Sequence, residues 1–200
     1  MFKNLPSLAA LALIAFAAPA VAQETAAQTE DSNTSGEQLD LGTPVTDGPQ
    51  LGQRYSKEKL GDWDLACIKT DGEQDPCSLL QVLHDDKNNP IAEFSLFRID
   101  NGSQAVAGAT VIVPLETLLP AQLTIAVDDN LGKRYNYTFC NQIGCVAQIG
   151  LTEADITSLK KGSSAKITIR PAPAPDQAIN LTLSLKGFTA GYDIVDVVKK

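Results

Sequence analysis

The chain has 200 residues, a formal net charge of -8, 44% hydrophobic and 20% charged residues. That is one domain's worth of ordinary globular composition. A single His all but excludes multi-histidine metal sites and histidine proton relays, and the acidic balance argues against duplex nucleic acid, which needs Lys and Arg for its phosphates.

Residues 1–22 read as a secretory signal. Lys3 supplies the positive start, Leu8 to Ala18 is apolar, and Ala20-Val21-Ala22 is a small-x-small cleavage site, so the mature chain is expected to begin at Gln23. The apolar run is too short to span a bilayer and Pro19 ends it. No later stretch is long and apolar enough for a transmembrane helix, and no Cys follows the cut to carry a lipid. Residues 23–53 read as a disordered acidic linker. They hold Glu24, Glu30, Asp31, Glu37, Asp40 and Asp47 without Lys or Arg, and few bulky apolar side chains that could offset ordering entropy.

Residues 54–200 read as the folded domain. Trp63, Leu65 and Cys67 share one face of an alternating run. The same period recurs in Lys133, Tyr135, Tyr137 and Phe139, in Leu123, Ile125 and Val127, in Ala165, Ile167 and Ile169, and in Ile179, Leu181, Leu183 and Leu185. Strands are expected to begin near 62, 77, 91, 105, 121, 133, 145, 165 and 179. Turn signals between them include Asp71-Gly72, Asn101-Gly102 and Asp129-Asn130-Leu131-Gly132. The pattern predicts an all-β antiparallel sandwich or barrel. One short helix is expected after Thr152, whose hydroxyl stands before Asp155 in a near capping box. Ile156 and Leu159 form its apolar side and Gly162 its stop. A second short helix is conceivable from about Ala190 to Val198.

Cys67, Cys77, Cys140 and Cys145 are even in number and follow an export signal, which favours two disulfides. The gaps of nine and four residues fit neither a zinc ribbon nor a C-x-x-C redox motif. Three connectivities are possible. Local pairs, Cys67–Cys77 and Cys140–Cys145, suit two hairpins, and Gly144 offers a positive φ at the second turn. Catalytic candidates are weak. His84 precedes Asp85-Asp86 without a nucleophile elbow, and the carboxylate pairs Asp62/Asp64 and Asp128/Asp129 read as polar strand and turn positions. No catalytic residue, metal site or cofactor is expected.

Four segments together resemble the invasion-associated locus B family of Gram-negative exported proteins. They are Gly61-Asp62-Trp63 through Cys67; Pro114-Leu115 with Leu119-Pro120, where Glu116 stands in place of the usual Gly; Cys140 through Gly144-Cys145-Val146-Ala147; and Ser184-Leu185-Lys186-Gly187-Phe188-Thr189-Ala190. The resemblance implies an immunoglobulin-like, disulfide-stapled sandwich outside the cytoplasm, in the periplasm, secreted or associated with the outer membrane. It also implies a link with host-cell invasion or colonisation in pathogenic members, and it supplies no catalytic residues. Trp63, Gly144 and Phe188 are the structural positions, with Trp63 placed to pack over a disulfide. The expected function is non-enzymatic binding of an unknown protein or envelope component. The alternatives are an envelope hydrolase and a redox module using Cys140 and Cys145.

Overall fold

The computed structural model describes residues 42, 44, 45 and 47–199. The expected signal and most of the expected linker lie outside them. The chain divides at Pro44, and every element belongs to the unit Val45–Lys200.

The elements are β1 (Arg54–Leu60), β2 (Trp63–Ile68), β3 (Cys77–His84), β4 (Pro90–Asp100), β5 (Ala105–Val113), β6 (Leu123–Val127), β7 (Lys133–Tyr135), β8 (Phe139–Asn141), β9 (Gly144–Thr152), α1 (Glu153–Lys161), β10 (Ser164–Ile169), β11 (Ile179–Ser184), α2 (Phe188–Ile194) and β12 (Val197–Lys199). A 3-10 turn, Leu119–Ala121, precedes β6. The larger sheet runs β1-β2-β3-β4-β5-β9-β8, with β12 pairing in parallel beside the end of β4. The smaller sheet runs β11-β10-β6-β7. All other pairings are antiparallel. The fold is a β-sandwich. Its core is built from the inward alternates of both sheets, among them Leu79, Phe94, Val111, Ile167, Leu181 and Leu183, all essentially inaccessible.

The helix at 152 forms as its sequence dictates. Thr152 Oγ1 accepts from the Asp155 backbone N–H, and the Asp155 carboxylate accepts from the Thr152 N–H, so each satisfies an orphan donor of the other. Ile156 and Leu159 are buried. Gly162 ends the helix with an ordinary φ of -74°. It is there for space, because a Cβ would stand 2.5 Å from Val127 Cγ1.

Three expectations need correction. Among the described residues there are two α-helices, not one. The second spans 188–194 rather than 190–198, because Asp196 is taken out of the helix: its carbonyl accepts from the Arg98 N–H and its carboxylate from the Cys77 N–H, at 3.0 and 2.6 Å. The β-branched residues Val197 and Val198 then continue as a strand. The alternating run from Lys133 to Phe139 is two strands in different sheets, since the chain crosses between sheets at 136–138. Local period carries no information about which sheet a residue joins. β1 lies ahead of the first expected strand, and two residues before it, Gly52 and Gln53, are already paired by backbone bonds with Lys69.

Candidate functional site

The expected site residues fall into three places. Cys67 and Cys77 face each other directly across β2–β3 and are disulfide-bonded, both buried. Cys140 and Cys145 face each other across β8–β9 and form the second disulfide. Cys145 is buried and Cys140 is exposed. Gly144 has φ 149°, and a Cβ there would meet the Val113 carbonyl oxygen at 2.4 Å, so the close approach of two backbones requires glycine.

Trp63 and Phe188 share the third place. The Trp63 ring meets Phe94 edge-on at 5.8 Å and Phe188 at 5.5 Å. Its Nε1 donates to the Ser184 carbonyl at 2.8 Å. Expected to cover a disulfide, Trp63 thus has Phe94 and Phe188 as its aromatic neighbours. Directly above this cluster the β1–β2 turn crosses the β11–α2 connection. Gly187, at φ 90°, would place a Cβ 1.8 Å from the Leu60 carbonyl oxygen. Gly61, at φ 64°, would place one 2.5 Å from the Lys186 carbonyl oxygen. The Asp62 N–H donates to that same carbonyl, and Asp62 Oδ2 accepts from Ser184 Oγ at 2.6 Å. The first and last of the four recognisable segments are therefore one knot, built for packing.

The weak catalytic candidates are dispersed. His84 is exposed at the end of β3, opposite Pro90. Asp62 holds Ser184, Asp64 accepts from Ser56 Oγ at 2.8 Å, and Asp128 accepts from the backbone N–H groups of Ser163 and Ser164. Among the described residues no group of three or more His, Cys, Asp or Glu is placed to hold a metal ion.

What the sequence reading did not find is the outer face of the larger sheet. An antiparallel sheet ordinarily turns polar residues to water there. Here Ala66, Ile68, Leu80, Val82, Phe97 and Ile112 face outward. Phe97 lies flat over Gly108, where a Cβ would be 2.7 Å from its Cζ. Two grooves indent this face. One, of about 630 Å³, has Ala66, Ser78, Ser95 and Phe97 among its lining and is bounded by Ile68, Pro76 and β12. The other, of about 500 Å³, lies among Val82, Ile91, Ile112, Pro114 and Ile143. Arg54 borders both, and its Nη1 is 2.7 Å from Glu93 Oε2. The available signal was β4 itself: Ile91, Phe97 and Ile99, with Glu93 and Ser95 between them, occupy the alternates that Ala92, Phe94 and Leu96 leave, so the strand carries large apolar side chains on both faces.

The charges around the first groove are unequally matched. Asp75 accepts from the Thr70 backbone N–H at 2.8 Å, from the Tyr55 hydroxyl at 2.8 Å and from Lys69 Nζ at 3.3 Å. The Thr70 N–H and then the Tyr55 hydroxyl hold its carboxyl down at about 2. Arg54 is spent on Glu93. Asp196 accepts the Cys77 N–H but forms no ion pair among the described residues.

The invasion associated locus B (IalB) family model matches residues 63–196. Two Brucella abortus proteins, from strains 2308 and biovar 1 (9-941), each named as an invasion protein B homolog, are 28% identical over 99 residues. Those matches cover 48% of this chain and span 57% of the relatives' length. The crystal structure of invasion associated protein b from Bartonella henselae aligns with a TM-score of 0.55 at 23% identity, covering 67% of this chain and 91% of that one, a likeness of fold. With the match running from Trp63, inside the glycine knot, to Asp196 at the groove, the chain belongs to the invasion associated locus B family.

Proposed function

We propose that this protein is an exported, non-enzymatic component of the bacterial envelope or cell surface. It binds a partner protein through the outer face of its larger sheet, in support of colonisation or invasion where the bacterium has a host. The observation that carries the reading is the groove beside β12. Its floor sets the apolar Ala66 and Phe97 beside Ser78 and Ser95, its edge adds Ile68, Pro76 and Val198, and a groove of this size suits side chains of a docked segment. Its rim carries Asp196 without an ion-pair partner among the described residues. The occupant is therefore an extended protein segment bearing apolar side chains and one basic side chain. Export rests on residues 1–22, and two disulfides accord with an oxidising compartment. The non-enzymatic reading is supported by the dispersal of His84 and the aspartates into separate structural bonds.

The test is site-specific photo-crosslinking in the native envelope, with the probe at Val198 in the groove and at Lys166 on the other sheet as control. A product formed from Val198 alone, whose linked peptide is apolar with a basic residue, supports the reading. A synthetic copy of that peptide should bind the purified protein and lose affinity in Asp196→Asn and Val198→Asp. Equal products from both positions, or a peptide indifferent to both variants, overturn it.

A further inference from the structure

We propose that residues 196–199 form a strap, hinged at Val195 and latched by the Asp196 carboxylate, which opens while the rest of the domain stays folded and so makes or removes one wall of the groove beside β12. The partner-binding reading supplies only what the groove takes; the strap itself is a property of the free protein.

The hinge and the strap are held very differently. Val195 follows α2 with its side chain fully buried, its N–H bonded to the Gly191 carbonyl at 2.9 Å and its own carbonyl accepting from Arg98 Nε at 3.0 Å. Asp196, Val197, Val198 and Lys199 are all exposed. β12 is three residues long and pairs in parallel with Arg98, Ile99 and Asp100. Parallel pairs are weaker per residue than antiparallel ones, and short exposed segments with little apolar burial open locally well below the free energy of global unfolding.

Two bonds from Asp196 hold the strap down. Its carbonyl accepts from the Arg98 N–H at 3.0 Å, and its Oδ2 accepts from the Cys77 N–H at 2.6 Å. The second bond is charge-assisted and therefore the stronger. It closes on a fixed point, because Cys77 is buried and disulfide-bonded to Cys67. When the strap lifts, water replaces it at both donors, so neither is left unpaired and the penalty of opening stays small.

Opening alters the groove. Asp196, Val197 and Val198 are the wall that the strap supplies, whereas Ala66, Ser95 and Phe97 belong to strands that stay in place. In the closed state Asp196 uses Oδ2 on Cys77, and Oδ1 has no partner among the described residues, so a basic side chain can take Oδ1 without breaking the latch. A docked segment therefore meets a complete groove only when the strap is closed.

Native-state hydrogen exchange of the full mature chain, with both disulfides intact, tests the strap. Corrected for intrinsic rates, the Cys77 and Arg98 amides should exchange at least about tenfold faster than those of Phe94 and Leu96, which have β3 on one side and β5 on the other, and should not respond to low urea. Asp196→Ala removes the carboxylate but keeps the carbonyl to which Arg98 donates. It should speed exchange at Arg98 as well as at Cys77, by about tenfold, and leave Phe94 and Leu96 unchanged. Asp196→Asn keeps an acceptor oxygen and should restore most of the protection at Arg98. Cys77 and Arg98 amides as slow as those of Phe94 and Leu96 overturn the proposal. So does an alanine variant that exposes Cys77 alone, because the carboxylate would then cap one donor and hold no strap. Exchange is read on the free protein and crosslinking from Val198 in the envelope, so a strap that does not open and a groove that takes no segment are distinguishable results.

Discussion

The side-chain amide of Gln81 on β3 holds both peptide groups of Ser184 on β11, so one buried polar residue ties the two sheets together across the core. Gln81 is 7% exposed, and removing it leaves the Ser184 N–H without its acceptor. The Ser184 carbonyl keeps its bond from Trp63. Gln81→Leu is therefore expected to cost about 1–3 kcal/mol, the desolvation penalty of a buried donor left unpaired. Urea unfolding with an unchanged slope measures it; a loss below the error of that measurement would show that water replaces the amide.

The crossing of Gly187 over Leu60 gives a sharper case. Gly187→Ala combines a left-handed backbone with an atom driven into a carbonyl oxygen, and should lower stability by about 3 kcal/mol. Gly102 is the control, because it has φ 72° with nothing within 4 Å of its Cβ position. Gly102→Ala carries the conformational term alone, about 1 kcal/mol. The difference between the two variants in one denaturant series isolates the backbone contact.

Acid stability should depend on Asp75. Its folded value, about 2, lies below the ordinary 3.8. A depressed carboxyl contributes stability that is fully present above the unfolded value and is lost as pH falls from about 3.8 through about 2. Thermal melts of wild type should fall across that window. Asp75→Asn should start lower and change less with pH, because the Thr70 and Tyr55 bonds no longer discriminate between charged and neutral forms.

Tyr137 is a place where the fold carries a defect. Its hydroxyl is buried and has no partner among the described residues, and burial pushes its pKa up to about 12. Tyr137→Phe removes the unpaired group while keeping the ring, and should raise stability by about 1 kcal/mol. The neutral phenol is favoured in the folded state, so its contribution is present below pH 10 and is lost as pH rises through about 12. The alkaline decline should accordingly be shallower in the variant.

The disulfides should act as independent staples. Replacing Cys67 and Cys77 together by Ser should lower stability by about 2.8 kcal/mol, and replacing Cys140 and Cys145 by about 2.2 kcal/mol, from loop-closure entropy alone. Cys140 is the exposed cysteine of the four, so the second bridge should be alkylated first under graded reduction. Mass mapping checks both the pairing and the order, and a first reaction at Cys67 would contradict the burial pattern.

Legibility followed the range of the interaction. Alternation in Ile167, Leu181 and Leu183 and the capping residues Thr152 and Asp155 are local signals, and the strands and helix they mark are in place because burial of one face and satisfaction of a cap need only near neighbours. Hairpin pairing of nearby cysteines is short-range in the same way. The all-β class, the first helix and the family were therefore legible from the residues alone. The tertiary structure alone decided that Gly61 and Gly187 meet from opposite ends of the domain. It also placed Asp196 on Cys77, which ends the second helix early, and gathered Phe97, Ile68 and Val198 around one groove. Each of these depends on which strands become neighbours, a choice made by packing the whole core at once.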